Sequence, residues 1–170
     1  MKKSIVLSVL CIMLATYTFA AEENVLKTTR YHHNTDINKM DDSEILVLML
    51  EANEDIITTF GMRRKPAIVV RCANKKTISY IFMGTYIGHE ATQINVRMDK
   101  EKAVKLQCPI STDGKALFIQ NPIVFLKTLE KKETLLVGVT PYNSTPLIVE
   151  FDVRGIGEEL AAIKKSCAWK

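Results

Sequence analysis

Residues 66 to 83 constrain the fold more than any other stretch of this chain. Ile68, Val70 and Cys72 recur at every second position, Ala73 to Lys76 turns the chain, and Ile78, Tyr80 and Phe82 resume the period. Alternation on both sides of a turn is the pattern of a β-hairpin with one buried face. All six residues, Cys72 among them, are therefore expected to point inward. A second cysteine, Cys167, stands within the last four residues of the sequence, where a bond to Cys72 would tie the chain's end to its central hairpin.

Met1 to Ala20 opens with Lys2 and Lys3, runs through apolar residues from Ser4 to Ala15 and closes on small residues. This is the layout of a secretory signal peptide. Cleavage is expected after Ala20, because the apolar run is shorter than the roughly 20 residues of a spanning helix. The mature protein is then expected in the periplasm, without stable membrane insertion. Removing Lys2 and Lys3 lowers the net charge from +4 to +2. That balance lacks the clustered basic footprint of a nucleic-acid binder, and Arg63, Arg64 and Lys65 read as a solvated loop.

Cys72, Cys108 and Cys167 remain after cleavage and allow three pairings. Export implies an oxidising compartment, so one disulfide and one buried thiol are expected. Cys108 follows Val104 and Leu106 at spacing two and reads as the inward end of a strand, although it also qualifies as a bond partner. Cys72 with Cys167 is the favoured pair, since it closes the long loop that removes most unfolded-state entropy.

Residues 21 to 42 are polar and lack either period, so a flexible arm is expected ahead of a single β-rich domain spanning 43–170. The apolar run Ile45 to Leu50 is read as a strand. Thr92 to Met98 alternates cleanly and returns as Ala103 to Cys108, a second hairpin. Asp113 and Gly114 mark a turn before a short strand at 115–119. Asn121 and Pro122 signal the cap and first turn of a helix over about 121–131. Two more strands, 134–140 and 146–153, form a third hairpin. A terminal helix over about 156–167 carries acids at its start and lysines at its end, as the helix dipole favours. Leu160, Ile163 and Cys167 share its apolar face. The expected fold is mainly β, an antiparallel β-sandwich or half-open barrel with two short helices.

Nothing in this order of residues assembles a catalytic constellation. His32 and His33 have only Asp36 nearby as a further ligand, which falls short of a metal site. His89 stands alone in the ordered body, and Ser111, Thr112 and Asp113 belong to a turn. The acid pairs Asp41 with Asp42 and Glu158 with Glu159 are sequence neighbours that point apart. No enzymatic activity, cofactor or metal is expected. Binding is the reading that the aromatic residues permit: Tyr86, Tyr142 and Trp169 are the candidate partner surface, with Tyr80 and Phe82 divided between surface and core. Trp169 either lids the core or presents an anchor to a partner.

Arg71 with Cys72, the Thr77 to Tyr80 strand, Val96 to Asp99, Ser111 to Phe118, the helix ending at Leu129, Leu135 to Pro141, Phe151 to Gly155 and Cys167 with Trp169 follow one another in that order. This arrangement resembles the VasI/TagO family of type VI secretion-associated envelope proteins, over roughly Asp42 to Trp169. Cys108 is a thiol beyond that frame. The resemblance implies a non-catalytic periplasmic accessory acting on an envelope or periplasmic protein; stand-alone and phage-derived relatives of such domains also occur. The alternative is a periplasmic inhibitor or phage superinfection-exclusion protein that acts on an envelope enzyme or receptor. A small-ligand carrier is a third class, and it would require a sizeable apolar cavity.

Overall fold

The computed structural model describes residues 30–170, so the signal peptide expected at 1–20 and residues 21–29 of the expected arm lie outside the described residues. Strands β1 (Tyr31–Ile37), β2 (Glu44–Glu51), β5 (Ala67–Ala73), β6 (Lys76–Phe82) and β9 (Ala116–Phe118) form one sheet in that spatial order. A second sheet runs β11 (Leu147–Asp152), β10 (Thr134–Val139), β7 (Thr92–Met98) and β8 (Val104–Cys108). β3 (Ile56–Ile57) and β4 (Arg63–Arg64) make a separate small hairpin. Every pairing is antiparallel, which is the sandwich that the alternation predicts.

One continuous core fills the sandwich. Leu48, Leu50, Ile68 and Ile81 from the first sheet meet Ile94, Val96, Leu135, Val137 and Phe151 from the second. Helix α1 (Pro122–Leu129) adds Phe125, Leu126 and Leu129 to the same core. Burial of one such side chain is worth about 1.5–3 kcal/mol. Pro122 occupies the first turn of α1, but the expected cap is absent, because the Asn121 side chain makes no capping bond. The expected terminal helix is two short ones, α2 (Ile156–Glu159) and α3 (Ala161–Ser166), which meet at the fully buried Leu160.

The central hairpin requires one correction. Cys72 pairs with Thr77, Val70 with Ser79 and Ile68 with Ile81, so Thr77, Ser79 and Ile81 face inward. Ile78, Tyr80 and Phe82 lie on the opposite face and are only half-buried. The cause is the turn. Asn74 and Lys75 both take positive φ, 48° and 58°, which is the two-residue type I′ turn that matches the strand twist. This pins Ala73 opposite Lys76, and a one-residue change of register exchanges the two faces of a strand. Two hydroxyls on the buried face hide the true period; Ser79 Oγ is buried without a partner among the described residues.

The arm is likewise shorter than expected. Residues 31–37 pair along β2 from Tyr31 with Leu50 to Ile37 with Glu44. Backbone pairing holds this edge strand although six of its seven side chains are exposed, and a strand exposed on both faces leaves no hydrophobic period to read. Its start is laced to the other sheet. Arg30 and Arg154 both donate to Asp152, Tyr31 Oη donates to the Arg154 carbonyl at 3.0 Å, and Asn53 Oδ1 accepts from the Asp152 N–H at 3.2 Å.

Hydrogen bonds from the Arg154 guanidinium, then from Arg30, hold the Asp152 carboxyl well below the usual carboxylate range despite its burial. A carboxyl depressed in the folded state binds fewer protons there than when unfolded, so its stabilisation is complete above about pH 5 and drains away as pH falls below about 4. In urea titrations between pH 6 and 3, Asp152→Asn is expected to remove up to about 1 kcal/mol of the wild-type acid sensitivity, since the unfolded carboxyl takes up its proton only at the lower end of that range. An unchanged pH slope would mean that the pair is fully screened by solvent.

Candidate functional site

Three loops meet at one end of the sandwich, and each presents an aromatic ring. The β3–β4 hairpin is closed by Thr58, whose N–H donates to the Met62 carbonyl at 2.9 Å and whose Oγ1 accepts from the Met62 N–H at 3.1 Å. This leaves Phe60 at the tip, 82% exposed. Tyr142 sits in the β10–β11 turn at 56% exposure, beside Asn143 with φ +50°. Tyr86 comes from the loop between β6 and β7.

Tyr86 is held by its surroundings. Its ring lies across Gly114, where a Cβ would fall 2.3 Å from one ring carbon and 2.5 Å from another. The Ile87 N–H donates to the Gly114 carbonyl at 2.7 Å, and Tyr86 Oη lies 2.5 Å from His89 Nδ1. The turn beneath is itself fixed, since Asp113 accepts from the Ser111 hydroxyl and the Lys115 N–H, contacts that lower its pKa. Tyr142 meets Tyr86 edge-on with ring centroids 5.9 Å apart, a favoured aromatic geometry.

Together Thr59, Phe60, Tyr86, Lys115, Tyr142 and Asn143 line an open concavity of about 540 Å³. Its walls combine aromatic surface, a hydroxyl, an amide and one ammonium. Exposed aromatic rings held rigidly lose little side-chain entropy on contact, and such residues dominate the centres of protein interfaces.

The structure thus brings Tyr86 and Tyr142 together and places Trp169 elsewhere. Cys72 and Cys167 are bonded, with Cα atoms 6.0 Å apart. Directly beyond, the Trp169 indole donates to Thr77 Oγ1 at 2.7 Å, and its ring packs half-buried against the core. Thr77 is near the start of β6 and Tyr86 beyond its end, so about 20 Å of strand separates them. Phe60 has no signal in the hydrophobic pattern; only its isolation between Thr59 and Gly61, a turn glycine, marks it. Cys108 is free and buried, and burial pushes its thiol up to about 11, so it behaves as a small apolar group. His33 Nε2 lies 2.6 Å from Glu159 Oε2, but no three His, Cys, Asp or Glu side chains converge among the described residues.

No protein-family model matches the chain, and no curated protein matches it in sequence. Among solved structures it is similar to the crystal structure of invasion associated protein B from Bartonella henselae, with 14% identity, a TM-score of 0.50, and coverage of 80% of this chain and 94% of that one. At that identity the likeness is one of fold: the two chains share a β-rich architecture.

Proposed function

We propose that the chain is an exported, non-catalytic accessory of the bacterial envelope that works by contact with an envelope or periplasmic protein, as its resemblance to the VasI/TagO family implies. The aromatic concavity carries this reading. Its three rings are solvent-accessible, yet Tyr86 is locked by Gly114 and His89, a combination that core packing does not require and a binding surface does. The Cys72–Cys167 disulfide agrees with an oxidising compartment. No helix of the described residues is long and apolar enough to cross a membrane.

A photo-cross-linking amino acid at position 142, and separately at position 60, tests the proposal in intact cells. Both positions should yield the same cross-linked protein, absent when the group is placed at the distant Lys100. With the group instead at position 143, which also lines the concavity, replacing Tyr142 and Phe60 together by Ser should cut capture about tenfold or more. Capture of envelope-apparatus subunits supports the accessory reading, whereas capture of a muramidase or phage receptor moves the protein to the inhibitor class. No product above the Lys100 background removes the surface from consideration.

A further inference from the structure

The two sheets have four edges, and they differ in what lies along them. β9 is flanked by residues 109–111, since the Phe118 N–H donates to the Pro109 carbonyl at 2.8 Å and the Ser111 N–H to the Ala116 carbonyl at 2.9 Å. β11 is met by Asn53, whose N–H donates to the Glu150 carbonyl at 2.9 Å. β1 is open, but it is exposed on both faces with polar side chains. β8 is open in a different way.

Which β8 backbone groups face outward follows from hydrogen-bond alternation. The Asp99 N–H donates to the Thr134 carbonyl at 2.9 Å, so odd-numbered residues of β7 direct their backbone toward β10 and even-numbered ones toward β8. Thr92, Ile94 and Val96 stand opposite Cys108, Leu106 and Val104. Lys105 and Gln107 must then direct their N–H and C=O groups away from the sheet, and the outward Pro109 carbonyl just beyond obeys the same parity. Neither Lys105 nor Gln107 has an outward backbone partner among the described residues.

A groove of about 300 Å³ runs along this edge. Four consecutive β8 residues, 105 to 108, line it. Successive strand residues point to opposite faces, so the groove must follow the strand's edge and not either face. Its far wall is Ile119 and, from α1, Val124 and Phe125; Val124 is 67% exposed. Lys105 is the one charged residue in the lining.

We infer that this groove docks an extended segment of a partner polypeptide. The segment adds as a fifth strand beside β8, seats an apolar side chain against Val124 and Phe125, and sets a carboxylate toward Lys105. Unpaired ladder groups supply the affinity and the apolar wall the selectivity, as in other strand additions. This surface shares no lining residue with the aromatic concavity, so it stands or falls independently of the partner proposed there.

The test is selection of a random-peptide display library on the full exported chain, followed by titration of a selected synthetic peptide with amide exchange read residue by residue. Selected peptides should alternate apolar residues and carry Asp or Glu, and they should protect the Lys105 and Gln107 amides. Gln107→Pro deletes an outward N–H while sparing the bonds of Leu106 and Cys108 to β7, which an edge position tolerates. It should weaken binding about tenfold, as should Val124→Glu on an exposed helix position. An empty selection, protection confined to other strands, or equal binding by both variants overturns the proposal. So does a concentration-dependent dimer that Gln107→Pro abolishes, because a second copy would then be the occupant.

Discussion

Cys167→Ser is expected to lower the stability of this domain by about 4–5 kcal/mol, which for a chain of this size means a melting temperature lower by roughly 10–20 °C. The bond spans a sequence separation of 95, and the entropy it removes from the unfolded chain grows with that loop. Cys72→Ser should cost the same, and the double variant no more than either single one, because both delete one bond. The chain has a single tryptophan, so the site reports on itself. The Trp169 N–H donates to the Lys164 carbonyl at 3.0 Å, Ala168 takes φ +48°, and the indole bonds Thr77. Trp169 emission should therefore shift red at lower urea in the variant than in the parent, together with far-ultraviolet circular dichroism. If dichroism melts as in the parent and only the tryptophan signal moves, the bond guards the C-terminal turn alone and the loop-entropy account fails. Cys108→Ala, which breaks no bond and buries no hydroxyl at this core position, should leave both signals far closer to those of the parent.

Gly114→Ala carries the second large effect, and it couples stability to the candidate site. Gly114 has φ +72°, and the added carbon would also fall 2.7 Å from the Gly88 carbonyl oxygen, besides its collision with the Tyr86 ring. Left-handed backbone costs a non-glycine residue about 1–2 kcal/mol, and forced overpacking about 1–3 more, so a loss of about 2–4 kcal/mol is expected in thermal or urea melts. Tyr86 must also leave its place, which removes one wall of the concavity and the edge contact to Tyr142. Gly61→Ala is the matched control. Its φ of +74° is as unfavourable, but nothing lies within 4 Å of the added carbon, so only the backbone part should appear. Equal losses for the two variants would mean that Tyr86 yields freely and is not held in place by Gly114.

The central hairpin shows how much of this architecture is legible in residues alone and where legibility stops. Alternation in β5 identifies Ile68, Val70 and Cys72 as inward, and all three are buried. In β6 the same reasoning selects the wrong face, because apolar residues occupy the half-exposed side while Thr77 and Ser79 face the core. The turn between them holds the information that the period lacks: two central residues with positive φ set the register. β1 fails for another reason. Its seven ladder partners are backbone groups of β2, and backbone pairing leaves no mark on the side-chain pattern.

By itself the sequence determined the approximate segments of β2, of β5 to β11 and of α1, the positions of the main turns and the inward cysteine that its chain end would meet, since these depend on period, glycine and proline chemistry, and loop entropy along the chain. Tertiary structure alone decided what lies along the outer edge of β8, and which loops gather. Phe60, Tyr86 and Tyr142 come from three loops that no local rule relates. They meet because stacking two twisted sheets brings those turns to one end of the sandwich, and the same stacking carries Trp169 to the other end of β6. The physical reason is that local propensities act over a few residues, whereas the juxtaposition of loops is set by how whole sheets bury their apolar faces against each other.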